Sequence, residues 1–123
     1  MKIELMKIKQ FEVWIADLNP RIGTETDKVR PVVIIQTDLL NSVHPSTIIC
    51  PVTTNIQPES DILRVHLKTG MARLKEDCDI VIDQIRAIDI SRLQKKLGAL
   101  PEEVECKIKI NVAIILDLQS HIS

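Results

Sequence analysis

The sequence predicts a mainly β fold that finishes in a helix: a small antiparallel barrel or curled sheet with a C-terminal helix. Three observations predict it. Short Val- and Ile-rich segments run from Phe11 to Ile90, each bounded by Pro, Gly, Asn or Asp turns. Pro101-Glu102-Glu103 then opens a helix, with acids over the positive end of its dipole. Strands grouped before a helix, rather than alternating with helices, fit an antiparallel sheet covered on one side.

Phe11 to Leu18 reads as the first strand, stopped by the turn signal Asn19-Pro20. Arg21 to Lys28, polar and containing Gly23, reads as a mobile loop. Val29 to Thr37 reads as a buried strand, with Pro31 near its start where a missing N–H is tolerated. Asn41 to Ser46 is a turn around Pro45, Thr47 to Thr53 the next apolar strand, and Thr54 to Asp61 a polar loop. Ile62 to Leu67 alternates as a strand does and closes near Gly70. Cys78 to Ile90 reads as one long β-branched central strand, and Ser91 to Leu93 as a single helical turn capped by Asp89 or Ser91. The final helix runs from Pro101 to about Leu118. Ile108, Ile110 and Val112 also alternate as in a strand, so periodicity alone leaves that segment open.

A chain of 123 residues, 45% apolar and 27% charged, fits one folded domain over 1–123 and argues against disorder. No apolar run approaches the roughly 18 residues needed to span a membrane, and Met1 to Gln10 lacks a continuous signal-peptide core. Cys50, Cys78 and Cys106 are odd in number and far apart, which suits small apolar residues in a reducing cytoplasm better than a disulfide framework or a zinc site. The net charge of −1 shows no basic excess, so any nucleic-acid site has to be a local basic patch. Phe11 and Trp14 are the only aromatics, too few for a base-stacking platform of the RRM or OB type. His44 in a turn, His66 at the end of a short strand and His121 in the tail read as solvated side chains, not a two-histidine nuclease site.

Four segments carry a resemblance. They are Val13-Trp14-Ile15-Ala16-Asp17-Leu18-Asn19-Pro20; Gly23-Thr24-Glu25 followed by Val29-Arg30-Pro31-Val32-Val33-Ile34; Pro51-Val52-Thr53-Thr54-Asn55-Ile56; and Asp83-Gln84-Ile85-Arg86-Ala87-Ile88-Asp89 with Ser91-Arg92-Leu93. In order and spacing, over roughly residues 10 to 118, they resemble the MazF/PemK toxin family. That resemblance implies an SH3-like antiparallel barrel (MazF/CcdB-like) with a C-terminal helix. It also implies a sequence-selective, metal-independent endoribonuclease that cleaves single-stranded RNA, the toxin of a type II toxin–antitoxin pair. Two positions depart. Family members usually have Gly-Asp before the opening Val, where this chain has Phe11-Glu12, which implies a changed loop or edge. Some members carry a basic residue two positions before the Asp-Gln; here that residue is Val81, and no role transfers to it.

The chemistry implied is attack by the 2′-hydroxyl on the adjacent phosphorus, leaving a 2′,3′-cyclic phosphate and a 5′-hydroxyl. It needs a base, an acid and donors for the phosphorane oxygens, but neither a metal nor another cofactor. By resemblance Arg30 is the catalytic arginine, and its planar fork matches phosphate oxygens bidentately. Thr53 is expected to donate its hydroxyl to a phosphate oxygen. Glu25 is expected to act as base or to orient Arg30. Thr24, Lys28, Asn55 and Asp83 are expected to contact RNA, with the cleavage motif read by the loops Arg21 to Lys28 and Thr54 to Asp61. Gln84 and Arg86 are assigned to the fold or a dimer. The expected partners are single-stranded RNA, a second copy of the chain and a cognate antitoxin whose tail covers the RNA groove. Two rivals share the fold: a gyrase-binding toxin, and an inactive regulatory barrel. Fold alone does not separate these.

Overall fold

The computed structural model describes residues 7–18 and 29–118. Seven strands form one curled antiparallel sheet: β1 (Glu12–Asp17), β2 (Val29–Ile34), β3 (Ser46–Thr53), β4 (Arg64–Leu67), β5 (Cys78–Val81), β6 (Arg86–Asp89) and β7 (Leu93–Ala99). A short helix α1 (Asp38–Asn41) precedes β3, and a long helix α2 (Glu102–Ile115) closes the described chain. The strand order is β4-β5-β3-β2-β1-β7, with β6 also paired to β3. This is the expected β barrel with a C-terminal helix, left open: the edge strands β4 and β7 are not paired to each other.

The long strand β3 makes the curl. One edge pairs with β2, through Ile49, Cys50 and Pro51. The other edge is shared in succession, Ser46 to Ile49 with β6 and Val52 and Thr53 with β5. Alternation along the strands then divides the apolar residues between two faces. Val13, Val33, Cys50, Val52, Val65, Leu67, Ile80 and Ile82 pack under α2 with its Val104 and Ile108. Trp14, Ala16, Val32, Ile34, Ile49, Ile88, Ile90 and Leu93 make a second cluster with Ile8.

Among the strands, one reading changes. Cys78 to Ile90 is not one strand: a 3-10 turn at Ile82–Gln84 divides it into β5 and β6. β-branched periodicity does not register one tight turn, though the adjacent exposed Asp83 and Gln84 mark it. The single helical turn expected from Ser91 is a 3-10 turn, Ile90–Arg92, with Asp89 accepting the Ser91 N–H. The following strand β7 was not legible. Its sequence, Leu-Gln-Lys-Lys-Leu-Gly-Ala, is polar because it is an edge, where lysines discourage pairing with another chain. Its pairing with β1 also shifts register twice. Gly98 is required there, because a Cβ would lie 2.9 Å from the Ala72 Cα.

The ambiguous C-terminal segment is a helix. Ile108 is buried, whereas Ile110 points outward at 58% exposure, as a 3.6-residue period demands and a strand alternation does not. Pro101 caps the helix instead of opening it, and Glu102, Glu103 and Glu105 occupy the first turn. It ends at Ile115, earlier than expected, because Asp117 adopts a left-handed conformation (φ 57°). The Asp117 and Leu118 N–H groups then close on Ile114 O and Ala113 O.

Phe11-Glu12 is accommodated locally. Phe11 has φ 69°, a conformation a glycine adopts at least cost and a bulky residue only under strain. Burial of the ring, with the Lys109 ammonium 5.5 Å from its centroid, offsets that strain. Glu12 is buried but fully engaged: Oε1 accepts from Lys9 N and Trp14 Nε1, both at 3.0 Å, and Oε2 pairs with Lys96 at 2.8 Å.

Candidate active site

Arg30 lies near the start of β2 and Thr53 ends β3. Their strands are in register with Val32 opposite Pro51. Arg30 is two residues before Val32 and Thr53 two residues after Pro51, so both stand at adjoining strand ends and on one face of the sheet. Both are partly exposed. Among the described residues, none forms a hydrogen bond or ion pair with the Arg30 guanidinium. The Thr53 hydroxyl oxygen accepts the Asn55 N–H at 3.1 Å. That bond fixes the hydroxyl near the backbone and leaves its proton free to donate.

Across β3 the same row continues. Thr53 pairs with Asp79 on β5, and Asp79 pairs with His66 on β4. Asp79 is fully buried. Its Oδ2 accepts from Gln57 N at 2.8 Å and from an Arg64 guanidinium nitrogen at 3.0 Å, and its Oδ1 meets His66 Nδ1 at 2.6 Å. Burial pushes the Asp79 carboxyl up, but the Gln57 N–H, His66 and Arg64 outweigh it and hold the acid below the ordinary carboxylate value. A saturated, buried carboxylate of this kind is a structural anion and no base for a 2′-hydroxyl.

The row corrects one expectation. His66 is half-buried and bonded to Asp79, not solvated, and its buried Nε2 has no hydrogen-bond partner among the described residues. His44 is exposed and accepts the Ser46 N–H within its turn. The sequence reading missed Arg64, His66 and Asp79 as a group. Arg64 and His66 share one face of an alternating strand, and Asp79 interrupts an apolar run, but the register that joins them is absent from the sequence.

The other candidates are scattered. Asn55 is exposed beside Thr53, and its carbonyl accepts from Arg64 at 2.9 Å. Asp83 is exposed in the turn between β5 and β6, with no hydrogen bond joining it to Arg30 or Thr53. Burial first, and the Asp83 charge second, push the Cys50 thiol up to about 12, so that buried sulfur is an inert thiol. Cys78 is buried too, whereas Cys106 is exposed on α2. Gln84 and Arg86 are exposed. Thr24, Glu25, Lys28 and His121 lie outside the described residues. No described helix is long and apolar enough to cross a membrane.

Known proteins agree with the fold and the motifs. The family model of the PemK-like, MazF-like toxin of type II toxin–antitoxin systems matches residues 9–116. Endoribonuclease EndoA of Bacillus subtilis is 34% identical over 113 residues, covering 92% of this chain and 97% of that protein. Endoribonuclease MazF of Staphylococcus saprophyticus is 35% identical over 115 residues, 93% of each chain. Among solved structures, a MazE–MazF crystal structure from Deinococcus radiodurans superposes with a TM-score of 0.77 at 19% identity, covering 91% of this chain and 97% of that one. A mycobacterial endoribonuclease in complex with its cognate antitoxin gives 0.70 at 18% identity, covering 91% and 96%. With the family matched over nearly its whole length, this chain belongs to the PemK-like, MazF-like toxins of type II toxin–antitoxin systems.

Proposed function

We propose that the chain is a sequence-selective endoribonuclease that cuts single-stranded RNA through the substrate's own 2′-hydroxyl. The observation that carries this reading is the placement of Arg30 and Thr53 on one face at adjoining strand ends, in a chain about one-third identical to two endoribonucleases. Arg30 holds two phosphate oxygens as charge builds on the phosphorane, and Thr53 donates its remaining proton to a phosphate oxygen. Glu25 takes the 2′-hydroxyl proton or orients Arg30, and Thr24, Lys28, Asn55 and Asp83 hold the flanking nucleotides. The gyrase-binding and inactive alternatives leave this pairing of donors without a use. A purified sample incubated with a long transcript in EDTA is expected to cut at one short motif, leaving cyclic phosphate and 5′-hydroxyl ends. A single 2′-deoxy substitution at the cut position blocks cleavage, because the nucleophile is gone. Dependence on magnesium, or cleavage of DNA, overturns this mechanism.

The working unit is a homodimer. α2 exposes Ile110 at 58%, and Leu116 and Leu118 beyond its end are 53% and 41% exposed, more apolar surface than one helix face resting on a sheet requires. A second copy would cover it, and RNA would lie in the groove between subunits. A cognate antitoxin occupies that groove with a segment that folds on binding, an acidic one mimicking phosphates. Light scattering at micromolar concentration is expected to give twice the chain mass; a monomer overturns the dimer.

A further inference from the structure

Asp79 joins the sheet to the loop that follows Thr53. Residues 54–61 contain no strand or helix, and Thr54, Asn55, Ile56 and Gln57 are all exposed. A polar loop of this kind opens locally unless something holds it. Two of its backbone groups converge on one buried carboxylate. The Gln57 N–H bonds Asp79 Oδ2 directly at 2.8 Å. The Asn55 carbonyl is held at 2.9 Å by the same Arg64 nitrogen that bonds Asp79 Oδ2 at 3.0 Å. The far end is tied separately, where Asn111 Nδ2 of α2 donates to Asp61 O at 3.0 Å. Asp79 itself stands opposite Thr53 in the sheet, so the anchor of the loop lies beside the strand end that carries the hydroxyl.

A buried charge cluster is a weak stabiliser beside apolar residues of similar volume, so stability alone gives little reason for an acid inside this apolar sheet. An apolar residue at position 79 could not hold two loop groups at fixed points. We propose that Asp79 is a positioning residue for substrate selection: it latches Gln57 directly, and Asn55 through Arg64, so that the loop 54–61 meets the RNA bases beside the scissile phosphate already ordered. The proposal rests on the ribonuclease reading above. A loop ordered beforehand loses less freedom on binding and offers one pattern of base contacts; released, it binds weakly and reads several.

The test uses the full chain and two variants that leave Asp79 in place. Gln57→Pro removes the N–H donor without changing charge, so a weaker KM in it is not a lost phosphate contact. Arg64→Gln removes the bridge to Asn55. Backbone hydrogen exchange over 54–61 is measured beside KM, kcat and the map of cut sites on one long transcript. Both variants are expected to exchange faster in the loop, raise KM by about tenfold, keep kcat within about threefold and cut at additional sequences. Unchanged loop exchange in both variants overturns the latch. Faster exchange with an unchanged KM and cut map overturns its role in selection. Wild-type protein that cuts no RNA brings down the ribonuclease reading and the selection role together, whereas unaltered variants of an active wild type bring down the selection role alone.

Discussion

Arg30→Lys is expected to cleave RNA at least about a hundredfold more slowly than wild type while binding it within about tenfold, the loss typical of one transition-state donor. The positive charge stays, so attraction to phosphate survives. What goes is the planar fork: two aligned donors to the crowded phosphorane oxygens become one mobile ammonium. Interactions made only in the transition state lower kcat rather than binding. Thr53→Ala should show the same split more weakly, since a neutral hydroxyl contributes less than a charged donor. Because the Thr53 hydroxyl also accepts the Asn55 N–H, Thr53→Ser, which keeps the hydroxyl, should recover most of the loss. Single-turnover cleavage, run beside binding to a 2′-deoxy analogue, separates the two quantities. Cleavage near the wild-type rate in Arg30→Lys reduces Arg30 to a binding charge and overturns the assignment.

The largest effect on stability is expected from Asp79→Ala, about 3 kcal/mol at neutral pH, the lower end of what breaking a buried ion pair costs. The carboxylate has three donors, Gln57 N, Arg64 and His66. Its removal leaves a guanidinium whose side chain is only 12% exposed without its anion. Arg64 keeps the Asn55 carbonyl, which sets the estimate at the lower end. Against a typical total of about 5–15 kcal/mol, this is a large fraction. The pH dependence has a definite sign. The folded carboxyl titrates below its ordinary value, so its stabilisation is fully present above an unfolded value of about 4 and fades as pH falls through the folded one. Urea unfolding of wild type and Asp79→Ala is therefore expected to show a gap at neutral pH that closes in strong acid. A gap that widens in acid contradicts the assignment of Asp79 as a stabilising anion.

The sequence by itself determined the fold class and the approximate positions of β1 to β4 and α2, and its motifs singled out Arg30 and Thr53 as the candidates for phosphate chemistry. It could do so because those features are local. A strand is written in β-branched runs between turn residues, the helix start in Pro101-Glu102-Glu103, and Arg30 and Thr53 in short motifs. Even Ser91 could be placed in a turn, from the cap residue Asp89 before it. Tertiary structure decided whatever depends on a neighbour distant in the chain. The edge strand β7 carries the polar residues that an exposed edge selects, so only its pairing with β1 makes it a strand. The division of Cys78 to Ile90 follows from β3 giving the two ends of one edge to two partners. Phe11 could be recognised as a substitution, but its left-handed backbone and buried ring required coordinates. Asp79, Arg64 and His66 are three polar residues in two strands until register stacks Asp79 and His66 in one row with Thr53 and lets Arg64, two residues along the same face, reach the carboxylate. Register across a sheet is set by the packing of both faces and has no signature in either strand alone. The residues proposed to do chemistry were therefore readable one by one, and the buried anion beside them was not.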